Sequence, residues 1–279
     1  MKRTPRWLLA WLVAGLAFLY LPIASLIVFS FNESKLVTVW AGFSTKWYGA
    51  LLDNRPILDA ALLSLKIATL TASLATVLGT LAALCLARFG AFRGRALFSG
   101  LVTAPLVMPE VITGLSLLLL FVALEQAIGW PAGRGTLTIV IAHATFAMAY
   151  VTVVVQSRLV GMDASIEEAA MDLGARPAKV FLVITLPIIA PALVSGWLLA
   201  FTLSLDDLVV SSFVSGPGAS TLPMVIYSKV RLGLSPEINA LATLMVLVVT
   251  VAMIVAGVLM TRQERQQQRD TQMAVNASD

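Results

Sequence analysis

The chain has 279 residues, 59% of them hydrophobic and only 12% charged, with a mean hydropathy of +0.91. Soluble domains are roughly half apolar and a quarter charged, so a soluble globular fold is excluded, and the length instead holds roughly five to seven membrane spans of about 20 residues. One cysteine, Cys85, and one histidine, His143, exclude a disulfide framework and a His/Cys metal cluster, and inside loops beside anionic lipid account for the net charge of +4 without a nucleic-acid partner.

Charge-poor apolar stretches predict spans over Leu8–Phe31, Ile67–Ala87, Ala96–Leu124, Thr136–Ser157, Val180–Leu205 and Ile238–Thr261. Six spans place both termini on one side. The outer loop after the first span carries Trp40, Trp47 and Tyr48, expected at the membrane interface. The third stretch is interrupted only by Glu110, directly after Pro109 and five residues after Pro105, where a straight helix is not expected. His143 in the fourth span reads as an interhelical hydrogen-bond donor. After the fifth span, Leu208 to Ser228 is free of charge, but its Ser-Gly-Pro-Gly centre predicts a surface or re-entrant loop. Trp197 and Phe201 face either lipid or a partner, and the sequence leaves both open. The tail after Arg262 reads as disordered.

Twelve of the 19 Lys and Arg residues fall in the termini and loops of one side and seven on the other, which assigns both termini to the cytoplasm. The chain then divides into residues 1–60 (terminus, first span and outer loop), a core over 61–261, and the tail 262–279. The longest cytoplasmic connection runs over 158–187. In it, Ser165 followed by Glu168 predicts a capping box opening a short helix, with Glu167 also favourable there. Gly174 suits the C-terminal cap and Pro177 opens a second helix. Ala169, Ala170, Met171 and Leu173 give the first helix an apolar patch suited to a groove on a soluble partner.

The order Glu168-Ala169-Ala170, three residues, Gly174, nine residues, Ile184, one residue, Leu186-Pro187 matches the EAA motif of binding-protein-dependent ABC importer permeases. Four segments resemble polyamine importer permeases: the one from Ser34, Thr103-Ala-Pro-Leu-Val-Met-Pro-Glu, the EAA segment from Ser165, and Ala200-Phe-Thr-Leu-Ser-Leu-Asp-Asp. The resemblance covers nearly the whole chain. It implies an all-α membrane protein of six transmembrane helices with the MetI-like fold of type I ABC importers, multi-pass in a bacterial inner membrane. It also implies a heterodimer with a second homologous permease, two copies of a cytoplasmic ABC ATPase, and a periplasmic polyamine-binding protein. By position, Glu168, Ala169, Ala170, Gly174, Ile184, Leu186 and Pro187 inherit the contact with the ATPase. The chain has no phosphate-binding loop of the Gly-x-x-x-x-Gly-Lys-Ser/Thr type, so ATP and Mg are expected in that partner, with no cofactor here.

Within the polyamine group the resemblance is greatest to putrescine permeases and implies putrescine as substrate, whose two ammonium groups call for anionic, carbonyl or aromatic partners. Glu110, Asp206 and Asp207 are the candidates. Glu110 reads either as a pathway carboxylate or as an acid at the N-terminus of a following helix. Asp206 and Asp207 sit unfavourably at a helix C-terminus, which a passing cation, Lys229, Arg231 or interfacial solvation would each explain. A spermidine or other cation importer remains open. An ion-coupled secondary transporter would be expected to show paired repeats with interrupted helices, and no duplication is visible.

Overall fold

The protein is described by a computed structural model over residues 6–36, 39–232, 236–251 and 254. Apolar sequence without a lipid-compatible alternative to internal hydrogen bonding folds into helices. In order these are α1 (Arg6–Ser30), α2 (Lys46–Asp53), α3 (Arg55–Arg88), α4 (Arg95–Thr103), α5 (Glu110–Ile128), α6 (Thr136–Val160), α7 (Ser165–Asp172), α8 (Pro177–Leu205), α9 (Val209–Val214), α10 (Leu222–Leu232) and α11 (Pro236–Val251). Among the described residues α1, α3, α5, α6 and α8 are long and apolar enough to cross a membrane. The last expected span is described as a helix to Val251, and the tail 262–279 lies outside the described residues.

Two compact units are present, residues 1–55 with 229–279, and residues 56–228. In the first, Asn32 organises the loop after α1. Its side chain donates to the Val39 carbonyl at 2.7 Å and accepts from the Ala41 N–H at 2.9 Å. Its carbonyl accepts the indole N–H of Trp47 at 2.7 Å, so Trp47 is buried, while Trp40 stays exposed. At the other end, Glu237 accepts from Asn54 at 2.8 Å and pairs with Lys229 at 3.7 Å.

In the second unit α6 is the central helix. Val151, fully buried, lies between two glycines: a Cβ on Gly79 of α3 would stand 2.8 Å from Val151 Cβ and 2.9 Å from the Met148 carbonyl oxygen, and one on Gly196 of α8 would stand 3.3 Å from Val151 Cγ1. Small residues here allow three helices to approach within side-chain-free distance, as membrane packing favours. Ala72, Ala75, Ala83, Ala147, Val155 and Ile189 complete this core, and Trp197 and Phe201 pack against it as a stacked pair, with the Trp197 indole on Ser73 at 3.2 Å. Both rings are half-buried, one side packed on the chain's own core.

The break expected within Ala96–Leu124 is present: α4 ends in a 3-10 turn over Ala104–Leu106, Val107–Pro109 is non-helical, and α5 begins at Glu110. Pro105 and Pro109, each lacking an N–H and disfavouring helix in the residue before, account for the break. The segment Leu208–Ser228 is not all loop. Val209–Val214 forms α9, buried against α5 and α6, with Gly114 of α5 making room for Phe213. Pro223 falls in the first turn of α10, where a proline fits, and the non-helical link is confined to Ser215–Thr221.

Candidate substrate cleft and coupling loop

Two helix breaks meet at one cleft. The first is the kink before α5, bringing Pro105, Met108, Pro109, Glu110 and Thr113; the second is the gap between α8 and α9, bringing Leu203 and Asp206 to Val210. Phe146 and Tyr150 of α6 complete the wall of a space of about 570 Å³. The structure thus brings all three sequence-predicted acids, Glu110, Asp206 and Asp207, to the same cavity. It also gives them different tasks.

Asp207 is buried and committed within the chain. Its Oδ2 accepts the Ser211 N–H at 2.7 Å and its Oδ1 the Val210 N–H at 3.2 Å, so it serves the N-terminus of α9. His143 Nε2 lies 3.0 Å from Asp207 Oδ2 and 3.0 Å from Ser211 Oγ, and His143 Nδ1 lies 2.7 Å from Ser204 Oγ. With Asp207 ionised, the assigned tautomer carries its proton on Nε2 and accepts the Ser204 hydroxyl at Nδ1. His143 is the expected interhelical donor, tying α6 across the gap between α8 and α9. The apparent dipole conflict at the end of α8 has a local answer, because Asp207 belongs electrostatically to the start of the next helix. Lys229 instead pairs with Glu237.

Glu110 and Asp206 are exposed, and neither is in an ion pair among the described residues. Glu110 stands in the first turn of α5, where its charge also suits the free N–H groups. Phe146 and Tyr150 were not identified from sequence, although with His143 they follow the i, i+3, i+7 spacing of one helical face.

The loop with the EAA spacing folds as two helices meeting at Gly174, with two corrections. α7 starts at Ser165, but no capping box forms: Ala164 is the N-cap, and Asp163 Oδ1 accepts the Ser165 N–H at 2.9 Å. An acceptor two residues upstream has taken the Ser165 N–H that the capping box gives to the Glu168 side chain, and the Glu168 N–H meets the Ala164 carbonyl at 3.1 Å. Hydrogen bonds from the backbone and side chain of Ser165 hold the Asp163 carboxyl below its usual pKa. A lowered carboxylate pKa means that this support of the first turn is present at neutral pH and lost as pH falls through that value. Protection of the Ser165 amide in hydrogen exchange, relative to its intrinsic rate, is therefore expected to drop on acidification. In Asp163→Ala it should be low at every pH, and equal protection in both proteins would contradict the assignment.

Gly174 ends α7 with φ +84, its N–H on the Met171 carbonyl at 2.8 Å and the Ala175 N–H on the Ala170 carbonyl at 3.1 Å, a Schellman pair. Glu168 and Ala169 are exposed, Ala170 is half-buried, and Leu173 is 90% exposed. The second helix is not short: α8 runs on from Pro177 through a π-helical turn over Phe181–Thr185. That turn holds Ile184 and leads into Leu186 and Pro187, and its wider ring accommodates the missing N–H and the ring of Pro187. Glu167 makes the loop's firmest contacts, which sequence reasoning did not assign: Arg88 Nε donates to its Oε2 at 2.7 Å, and Thr185 Oγ1 to its Oε1 at 2.5 Å.

Residues 75–269 match the family described as binding-protein-dependent transport system inner membrane component. The chain is 62% identical over 272 residues, 98% of its length and 96% of the relative's, to the putrescine transport system permease protein PotI of Escherichia coli K12. It is 44% identical over 247 residues, covering 88% and 90%, to the spermidine/putrescine transport system permease protein PotC of the same strain. In fold it is similar to a chain of a bacterial alginate ABC transporter solved with an alginate pentasaccharide-bound periplasmic protein, with TM-score 0.69 at 16% identity and 90% of both chains covered. The fold is thus shared with an ABC transporter chain, and the chain belongs to the family of inner-membrane components of binding-protein-dependent transport systems, as a multi-pass transport subunit.

Proposed function

We propose that this chain is one permease of an ATP-driven importer for polyamines, with putrescine as its substrate. The observation that carries the reading is 62% identity over 98% of the chain to a putrescine permease. The cleft supports it: two exposed carboxylates, Glu110 and Asp206, and two aromatic rings, Phe146 and Tyr150, supply the acceptors and π faces that a desolvated diammonium requires. The 44% identity to a spermidine/putrescine permease supports a second reading in which the longer polyamine is also accepted.

In this reading a second permease completes the pathway, a periplasmic binding protein delivers the solute, and a cytoplasmic ATPase dimer holding ATP and Mg seats α7. The permease performs no covalent step. ATP favours one of its conformations from inside and the loaded binding protein favours the same one from outside, so energy enters as differential affinity.

The test is radiolabelled putrescine uptake into proteoliposomes holding the chain, its companion permease and ATPase, with the binding protein outside and ATP inside. Uptake dependent on both, and competed poorly by amino acids or sugars, is expected; competition by spermidine would favour the second reading. Uptake that persists without ATP would discard the reading. Glu110→Gln should lower uptake by about tenfold, the loss of a charged hydrogen bond of 1.5–3 kcal/mol at the lower end, with ATPase binding unchanged.

Gly174→Val addresses the coupling loop. No atom lies within 4 Å of the added Cβ, so the whole cost is the left-handed backbone, about 1–2 kcal/mol. The expected result is ATP hydrolysis without proportionate uptake at a normal membrane level. Unchanged uptake per ATP would remove Gly174 from the coupling machinery.

A further inference from the structure

We propose that Arg88, Glu167 and Thr185 form a two-position latch that carries the movement of the coupling helix α7 into α3 and α8. The inference rests on the reading of α7 as the ATPase contact and names the residues that pass its motion on.

The three side chains come from three elements: the last turn of α3, the first turn of α7, and the final residue of the π-helical turn in α8. All are shielded, with side-chain exposures of 21% for Arg88 and 12% for Glu167, and Thr185 is buried. The Glu167 carboxylate is divided: Oε2 takes Arg88 Nε and Oε1 takes the Thr185 hydroxyl. That division leaves Arg88 Nη2 buried and without a hydrogen-bond partner.

The unpartnered atom is informative because of guanidinium geometry. Nε and Nη2 form one edge of the fork, and a carboxylate meeting that edge side-on takes both. Here only one tooth is used, since the second carboxylate oxygen has been turned to Thr185. Two arrangements of Glu167 therefore satisfy its oxygens equally in number: shared between Arg88 and Thr185, or bidentate on Arg88 with Thr185 released. Rotation of one carboxylate exchanges them. In the first α7 is tied to both α3 and α8, in the second to α3 alone.

Simple support of the α3 C-terminus does not account for Arg88. Arg95 already occupies that end, donating to the Leu86 and Gly90 carbonyls at 2.8 Å each. Nor is Glu167 needed as a helix-start acceptor, a task met by Asp163. From Thr185 to Leu205, α8 continues for about 30 Å at 1.5 Å per residue, and its far end opens into the cleft through Leu203 and Asp206. A tie made and broken at Thr185 thus acts on the element that shapes the substrate space. Bistable contacts of this type are what allow a small displacement at one site to select between states at another.

The experiment uses the full complex in proteoliposomes and measures ATP hydrolysed per putrescine imported. Thr185→Val keeps shape and removes the tie to α8, Thr185→Ser restores the hydroxyl, and Glu167→Gln removes the charge that binds Arg88. For Thr185→Val the ATP-to-putrescine ratio is expected to rise at least about fivefold, the low end of a coupling free energy between sites. ATPase retained on the membrane and basal hydrolysis should match the parent, and Thr185→Ser should return the ratio to normal. A parental ratio in both Thr185→Val and Glu167→Gln would overturn the latch. So would loss of ATPase binding in Thr185→Val, since that outcome would make the contact a scaffold for α7 and nothing more. A parent complex that imports nothing on ATP hydrolysis would instead remove the reading on which the latch rests.

Discussion

Replacing Asp207 by alanine is expected to leave little of the chain in the membrane, whereas replacing its neighbour Asp206 by asparagine should leave the fold intact and reduce uptake. The two residues are adjacent in sequence and differ in what depends on them. Asp207 is 9% exposed and accepts from Val210, Ser211 and His143. Alanine would strand the Val210 and Ser211 N–H groups and leave His143 Nε2 with Ser211 Oγ alone. Each buried donor left unsatisfied costs about 1–3 kcal/mol, so the two N–H groups together cost a large part of the roughly 5–15 kcal/mol typical of a whole domain. Asp207→Asn keeps an acceptor for the N–H groups of α9 and should be milder. Asp206 anchors nothing in the chain comparable to this and meets the cleft. Membrane yield and thermal aggregation temperature in detergent, set beside uptake per unit protein, separate the cases. Normal yield and stability for Asp207→Ala would show that the His143 network does not hold α9.

The second large effect is expected at Gly79. Alanine there would place its Cβ 2.8 Å from Val151 Cβ and 2.9 Å from the Met148 carbonyl oxygen. One neighbour is a branch point and the other is backbone, so neither yields by a rotamer change. The helices must part, at about 1–3 kcal/mol for overpacking of a tight core. Trimming Val151 to alanine in the same chain removes the Cγ atoms but not Cβ or the Met148 oxygen. Gly79→Ala with Val151→Ala is therefore expected to remain less stable than the parent. Full recovery of the aggregation temperature in the double variant would mean that the side chain alone, and not the backbone approach of α3 to α6, sets the constraint.

What the sequence made legible was local. The EAA spacing, the turn at Gly174 and the start at Pro177 are properties of contiguous residues, and α7 and α8 follow them. Pro105 and Pro109 announced the break that Glu110 follows, and the three acids were found by their rarity in apolar sequence. Partner identity was not legible. His143 meets residues 61 to 68 positions away, and Arg88 meets Glu167 across 79; no periodicity reports such pairings. The capping box failed for a different reason: Ser165 and Glu168 had the right spacing, but Asp163, already nearer the free N–H, competed successfully. The Gly-Pro-Gly link was read correctly as a turn and extended too far, because α9 is held by Asp207 and by burial rather than by its own six residues.

The placement of Val151 between Gly79 and Gly196 has a kinematic meaning. A β-branched side chain has one strongly preferred rotamer in a helix, so it behaves as a fixed peg with a socket on either side. Translation of α3 or α8 along α6 is opposed by that peg until the helices first separate, which leaves rigid-body rotation as the low-resistance coordinate. The joint that such a rotation would use is the short non-helical stretch Val107–Pro109 at the cleft, since Asp206–Leu208 is pinned through Asp207. The degrees of freedom that could alter the shape of the cleft are thereby reduced to a handful of backbone dihedrals, with the packed interior moving as a solid body.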